Sequence, residues 1–494
     1  VAAALVLGTL AAVAWRAEGV WRLGPADTAA LRFTLAQAAV SAVLSVALAV
    51  PVARALTRRR FPGRGAFIVL TGVPFVLPGL VAVLGLLAVW GRGGWVNGGL
   101  AAAGLPEFSP YGPQGVILAH VFLNLPLAVR MILNGWAEIP AERLRLAASL
   151  DLGPGAVLRH VEWPMLRAVV PGALLAVFLI CLTSFAVALT MGGGPRATTV
   201  ELAIFQAVRF EFDLARAAVL AAVQAGLCAA AALVAAAFAA PSGLGAGLGR
   251  VAAVPVRGLV VQDSLVLVAA GLFLATPLAA VVWRGVPGLA AMPEAVWPAA
   301  GRTVLVALAA AGLAVAGAVA IGLAALRRPW VEAAAMLPLA ASPLVLGTGL
   351  FVLVFPLVDP AAVALPVTVA VNAALGLPFA LRLLMPALRE AAATEGRLAA
   401  ALGLPAGVVV RRILLPRLRR PLGLALGLCA ALAAGDLGAI ALFAREGGET
   451  LPLLVQRLMG AYRMEAAAGA ALVLVGIAFA LFAAFDLWGR RAKA

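Results

Sequence analysis

Between Thr303 and Leu326 the chain runs for 24 residues without a charged side chain. Comparable runs recur along its whole length. At about 1.5 Å of rise per residue, each reaches across the roughly 30 Å hydrocarbon core of a bilayer. Lipid offers the backbone no hydrogen-bond partner, so such a run has to be helical. Only 12% of the residues are charged and the mean hydropathy is +1.08. A soluble domain carries about 25% charged residues, so this chain cannot cover a water-facing surface. A β-barrel would show short alternating segments instead. The expectation is an all-α polytopic membrane protein with about twelve transmembrane helices. The runs fall at 1–15, 31–56, 65–90, 113–135, 167–190 and 216–240. They continue at 258–284, 301–326, 331–357, 363–388, 420–443 and 466–488.

The net charge of +16 is placed between these runs. Arg58, Arg59, Arg60 and Arg64 form one cluster, Arg143 and Arg145 another, and Arg327 and Arg328 a third. Arg411, Arg412, Arg417, Arg419 and Arg420 follow, then Arg490, Arg491 and Lys493. By the positive-inside rule, loops 57–64, 136–166, 241–257, 327–330, 389–419 and the C-terminal tail face the cytoplasm. Loops 91–112, 191–215, 285–300 and 444–465 then face outward, and an even number of spans puts both termini inside. No basic face interleaved with aromatics is visible, so nucleic acid is not an expected partner; the lipid bilayer is. Cys181, Cys228 and Cys429 sit in apolar runs as small buried hydrophobes. Two histidines do not supply a metal site, and apolar runs throughout argue against a removable signal peptide.

The chain repeats itself. Leu125-Pro126-Leu127-Ala128-Val129-Arg130 matches Leu377-Pro378-Phe379-Ala380-Leu381-Arg382, 252 residues later. The segments Arg145–Arg167 and Arg397–Arg419 share 12 of 23 positions in the same register. Continued without a gap, that register sets Thr198 over Thr450 and Phe210-Glu211-Phe212-Asp213 over Tyr462-Arg463-Met464-Glu465. Earlier runs match at another offset, with Thr34 over Thr303 and Pro74 over Pro343. Two domains follow: 1–245, with a core of about 30–240, and 246–494, with a core of about 300–488. They are joined near the Gly-rich stretch Pro241–Gly249. Six spans per half gives parallel repeats, which place a pathway between the halves.

The repeated segment reads helix, break, helix. Arg145-Leu-Ala-Ala-Ser-Leu is built of helix formers, Asp151-Leu-Gly-Pro-Gly interrupts it, and Ala156–Glu162 resumes a short helix before a stop at Pro164. The second copy breaks at Gly403 and Pro405 and stops at Pro416. Small Ala147, Ala148, Ala399 and Ala400 allow another surface to approach, and flanking arginines favour an acidic or carbonyl-rich one. Two copies with one internal spacing imply that something docks on both halves alike.

This spacing resembles the EAA loop of binding-protein-dependent ABC importer permeases, in which Glu-Ala-Ala is followed after three residues by Gly and ends in Leu-Pro. The Glu place holds Arg145 and Arg397, the first Ala place Leu146 and Leu398, and the second Ala147 and Ala399. The Gly place holds Asp151 in one copy and Gly403 in the other. The ends are Trp163-Pro164 and Leu415-Pro416. In that family the loop is a coupling helix seated in a cleft of the ATPase, which implies docking loops at Arg145, Ala147, Ala148, Asp151, Gly155 and Pro164, and at Arg397, Ala399, Ala400, Gly403, Gly407 and Pro416. The resemblance narrows further along the chain. Ser184–Gln224, His160-Val-Glu-Trp-Pro-Met-Leu-Arg, Gly435-Asp-Leu-Gly-Ala-Ile-Ala-Leu-Phe and the segment from Thr450 are similar to bacterial thiamine-importer permeases. Iron(III) permeases share the fused plan; the Gly192-Gly193-Gly194-Pro195 turn and Gln206 favour the thiamine family.

The resemblance implies the type I ABC importer permease fold in a bacterial inner membrane, importing thiamine and thiamine phosphates by alternating access. It implies two copies of an ATPase subunit, which bind ATP and Mg, and one periplasmic thiamine-binding protein. The chain itself is expected to be no enzyme and to hold no cofactor. A Walker A loop needs a Lys after a Gly-rich stretch, and the one Lys here is Lys493 in the tail. An ion-coupled secondary carrier is the alternative of a different class. It calls for several midplane acids or broken helices in both halves, yet Asp436 is matched in the repeat by Ser184. Ionisable groups inside spans are costly and usually functional; Asp436 either lines the pathway with Ser184 or caps a broken helix. Glu201, Glu211, Asp213, Glu446 and Glu449 make the outward loops acidic, either to receive a binding protein or simply as solvated residues.

Overall fold

The computed structural model describes residues 2–17, 22–72, 77–192, 194–238 and 259–490. Among these residues every regular element is helical. The first half holds α1 (Ala2–Ala17), α2 (Pro25–Arg58), α3 (Gly79–Trp90), α4 (Pro113–Ala137), α5 (Ala141–Ser149) and α6 (Trp163–Leu182). It continues with α7 (Ala186–Met191), α8 (Val200–Gln206) and α9 (Leu214–Ala237). The second half holds α10 (Val260–Gly288), α11 (Val296–Ala325), α12 (Pro343–Val354), α13 (Ala364–Ala401) and α14 (Arg419–Ala434). It ends with α15 (Gly438–Phe443), α16 (Leu451–Gly460) and α17 (Met464–Arg490).

Ten helical segments among the described residues are long and apolar enough to cross a bilayer. An eleventh is counted if Trp330–Leu339 and Pro343–Val354, bent by 88° at Ser342, form one span. The expected twelve are therefore ten or eleven, and α1, at 16 residues, is too short to be counted. The proposed boundary at 245 and the Gly-rich joint lie outside the described residues, as does Pro74.

Packing relations come in pairs. α2 lies against α4 and α6, as α11 lies against α13 and α14. α1 packs on α9 and crosses to α12 of the other half, while α10 packs on α17 and crosses to α3. The largest apolar cluster runs through both halves, from Phe185, Val200 and Ile204 to Leu344, Val345, Ile440 and Phe443. Burying about 25 cal/mol per Å² of apolar surface ties the halves together along this seam.

The same hydrogen bond is made twice. Thr34 Oγ1 accepts from the Val200 amide at 2.9 Å, and Thr303 Oγ1 accepts from the Leu451 amide at 2.8 Å. Each hydroxyl reaches from a long helix to an otherwise unpaired N–H at the start of a short one. The pairing of Thr34 with Thr303 is thus one of geometry. The single register of 252 is not kept to the end. It holds at Leu182 and Ala434, the last residues of α6 and α14, and at α7 and α15. The caps of α8 and α16 are Thr199 and Thr450, 251 apart, so Thr198 is not the partner of Thr450. Phe212 and Tyr462, both left-handed at φ 57° and 58°, are 250 apart. A π-turn at Ala207–Glu211 takes up the extra residue.

Two runs expected as single spans are broken in the middle. Residues 167–190 stop at Thr183 and restart at Ala186, and residues 420–443 stop at Gly435 and restart at Gly438. A break leaves carbonyls unpaired inside the protein. In the first half Gln37 Nε2 donates to Cys181 O at 3.0 Å and Gln224 Nε2 to Leu182 O at 2.8 Å. Side-chain amides on neighbouring helices thus make a mid-span break tolerable.

Candidate functional site

In the first copy of the repeated loop, α5 ends in a left-handed turn. Leu150 N–H donates to Leu146 O and Leu152 N–H to Ala147 O, both at 3.0 Å. The six-residue bond closes a Schellman-type end, whose next-to-last residue needs positive φ. That residue is Asp151, at φ 46°; Gly403 holds the same place in the second copy at φ 63°. The two residues differ in the sequence and agree in the backbone. Short polar side chains tolerate this conformation better than most, and glycine takes it without strain.

After the turn both copies form a short helix and then a π-turn, Leu158–Glu162 and Val409–Leu414. Pro164 and Pro416 follow within two residues. A proline gives no N–H to the turn before it and its ring crowds the preceding carbonyl, which opens that turn. Pro164 is therefore no stop. It sits in the first turn of α6, where its missing N–H costs nothing. The entry to the two loops differs. Pro140 separates α4 from α5, whereas α13 runs unbroken for 38 residues through Arg397.

Arg145, Asp151, Gly155 and Pro164 are exposed, as are Gly403, Gly407 and Pro416. Ala147 is turned inward, 5% exposed, so its small size serves packing behind the loop. The side chains of Ala148, Arg397, Ala399 and Ala400 lie outside the described residues. The apolar groups offered to water are Leu146, Leu150 and Trp163 in the first copy, and Leu402 and Leu415 in the second. Leu150 and Leu402, each just before the left-handed residue, are 61% and 64% exposed. Their signal was present in the alignment of the copies: an apolar residue conserved between the two copies beside a helix-ending turn.

A buried ion cluster holds the first loop to the body. Glu162 accepts from Arg54 Nε at 2.7 Å and lies 3.4 Å from Arg58 Nη2. Arg54 Nη2 also reaches Pro154 O at 3.4 Å, so α2 holds the limb after the turn at both its ends. The neighbouring Arg59 Nε donates to Asp263 Oδ2 of α10 at 2.7 Å. In the second loop Leu414 stands in place of Glu162, and Glu395 pairs with Arg417 within the loop itself.

At the second broken span, Asp436 is half-buried and both its oxygens are engaged. Oδ2 accepts from Asn372 Nδ2 at 3.1 Å and Oδ1 from the Gly438 amide at 3.2 Å. The second bond caps α15. Gly435 and Gly438 press against Pro78 and Pro343, leaving no room for a Cβ at Gly438. Ser184, half-buried, is the first-half counterpart. Asn372, which the sequence reading passed over, lies 252 residues after His120. His120 is 1% exposed and neither of its ring nitrogens has a partner among the described residues.

Two acids assigned to the outward loops are not solvent-facing. Glu201 is 0% exposed and Glu449 4%. Arg457 lies 3.4 Å from the Glu449 carboxylate. Glu211 pairs with Arg216, which also holds Asp27 at 2.7 Å.

The chain was then compared with known proteins. The thiamine transport system permease protein ThiP of Brucella abortus (strain 2308) is 39% identical over 510 residues, which cover 98% of this chain and 93% of the relative. The chain belongs to the thiamine transport system permease family. The permease of the same name from Salmonella typhimurium is 39% identical over 496 residues, 97% of this chain and 91% of the relative. That of Escherichia coli (strain K12) is 37% identical over the same length and coverage. No family model matches the chain. Membership at this coverage makes the chain a multi-pass membrane protein of permease type, and it takes in both halves, each with its loop and its broken span. Within the family, thiamine rather than iron(III) is the cargo in the relatives' names.

Proposed function

We propose that this chain is the membrane-spanning subunit of an ABC importer that takes up thiamine, and thiamine phosphates, across the bacterial inner membrane. The observation that carries the reading is the duplicated loop. Two turns of one backbone geometry, at Asp151 and Gly403, expose leucines at Leu150 and Leu402 within a chain that matches thiamine permeases from end to end. Exposed apolar side chains beside arginines suit a protein surface that covers them.

Two copies of an ATPase subunit bind ATP and Mg and dock one on each loop; the permease itself hydrolyses nothing. When the ATPases close, the loops are displaced. The Arg54–Glu162–Arg58 cluster passes that displacement to α2, and Arg59–Asp263 passes it to α10. A periplasmic binding protein delivers substrate to the outward-open cavity between the halves, with both termini in the cytoplasm. Thiamine is a cation, and Asp436, with Ser184 opposite, supplies the negative end of the pathway. Asn372 and the Gly438 amide fix its carboxylate in place.

Proteoliposomes test the reading. With the ATPase and binding protein supplied, labelled thiamine should accumulate only when ATP is present on the loop side. Accumulation driven by an ion gradient, with the ATPase absent, would overturn it.

A further inference from the structure

The seam between the halves holds a buried carboxyl group that its surroundings do not explain. Glu201 lies on α8, a seven-residue helix that does not cross the membrane, inside the largest apolar cluster. It is 0% exposed, and no donor is aligned on either carboxylate oxygen. The side chains against it are Gln224 of α9 and Ser342, at the start of α12 in the other half; both are also 0% exposed.

The donors available are quickly counted. Gln224 gives one amide hydrogen to Leu182 O at 2.8 Å and the other to Cys228 Sγ at 3.7 Å, and its Oε1 has no donor among the described residues. Ser342 Oγ accepts from the Val345 amide at 3.0 Å, leaving its own hydrogen to give. Three acceptor oxygens, two on Glu201 and one on Gln224, thus share one hydroxyl hydrogen. One more hydrogen completes the set.

Among the described residues no cation is placed to supply the charge instead. On α2, Asp27 is held by Arg216, Arg54 and Arg58 by Glu162, and Arg32 is exposed. On α9, Arg216 is engaged by Asp27 and Glu211, and Cys228 is a buried thiol. On the π-turn after α8, Arg209 donates to Ala444 O and Glu211 pairs with Arg216. α12 carries no titratable group. A bare carboxylate in an apolar seam without a counter-ion is costly.

We propose that the seam is a proton-binding site: Glu201 is a neutral carboxylic acid that donates to Gln224 Oε1 and accepts from the Ser342 hydroxyl, joining α8 and α9 of one half to α12 of the other. Removal of the proton leaves two facing acceptors, Glu201 on α8 and Gln224 Oε1 on α9, and forces α8 and α9 apart. Burial pushes the Glu201 carboxyl up from 4.5 to about 8. An acid with a raised value in the folded state binds its proton more tightly there than in the unfolded chain. Its contribution is full below pH 4.5 and is lost as pH rises toward 8, by about tenfold in the folding equilibrium per pH unit.

The test compares the purified full-length chain with Glu201→Gln, and needs neither substrate nor ATP. Between pH 5 and 8 the wild type should lose stability relative to Glu201→Gln, whose neutral amide donates to Gln224 at every pH. Infrared spectra at neutral pH should show the carbonyl band of a buried protonated carboxylic acid, missing from the variant. Parallel stability curves, or the absence of the infrared difference, would overturn the proposal. If Glu201→Gln does not fold, the wild-type infrared titration decides alone: a carboxyl already ionised at pH 6 refutes it.

Discussion

Replacing Glu162 with Gln keeps the shape of the side chain and removes its charge. Arg58 is then left buried with no anion bonded to it, the nearby Asp263 being held by Arg59: the Arg58 side chain is 3% exposed, and its Nε has no partner among the described residues even in the intact cluster. Arg54 is 21% exposed and can turn to water. Breaking a buried pair by removing one partner costs about 3–5 kcal/mol. Because one of the two arginines can be rehydrated, the lower end applies, about 3 kcal/mol or roughly a hundredfold in the folding equilibrium. Unfolding in mixed micelles with rising SDS measures it, using Glu162→Gln, Arg58→Met and the double variant. The double variant removes both buried charges and should fall short of the sum of the single effects by about 0.5–3 kcal/mol. Additive effects, or a Glu162→Gln variant within about 0.5 kcal/mol of wild type, would show that the cluster does not brace the first loop.

Thr34→Val and Thr303→Val each strip the partner from a buried amide, at Val200 or Leu451, and should each cost about 1–3 kcal/mol in the same unfolding assay. Leu150→Glu and Leu402→Glu should leave the permease inserted and folded while weakening ATPase association at least about tenfold, since each removes an exposed leucine that the docked ATPase would bury, worth about 1.5–3 kcal/mol; co-purification with the ATPase reads this out. Asp436→Asn should raise the thiamine concentration needed for half-maximal uptake by about tenfold, the worth of a hydrogen bond to a charged group. An unchanged uptake curve would assign Asp436 to capping α15 alone.

The helical class followed from the sequence because lipid enforces internal hydrogen bonding on any long apolar run. The duplicated loop was legible for a related reason: Arg145–Arg167 and Arg397–Arg419 repeat their polar residues where an apolar chain has few. The exchange of Asp151 for Gly403 reads in the sequence as an asymmetry, and only the backbone, left-handed at both, makes the two turns alike. Hydropathy could not show where spans break. Thr183-Ser184-Phe185 and Gly435-Asp436-Leu437 lie inside apolar runs, and what permits the breaks is carried by distant residues. Gln37 caps Cys181 from 144 positions away and Asn372 reaches Asp436 across 64. Burial of acids was equally hidden. Glu201 and Glu449 read as loop charges because exposure is decided by the helices that close over a residue, not by its neighbours in the chain. The sequence by itself determined a helical membrane body with two alike polar loops. Only the tertiary structure decided that the first loop is gripped by Glu162 between two arginines while the second rests on Leu414. An ion pair exists only when the fold lays α2 against the loop and brings its partners together.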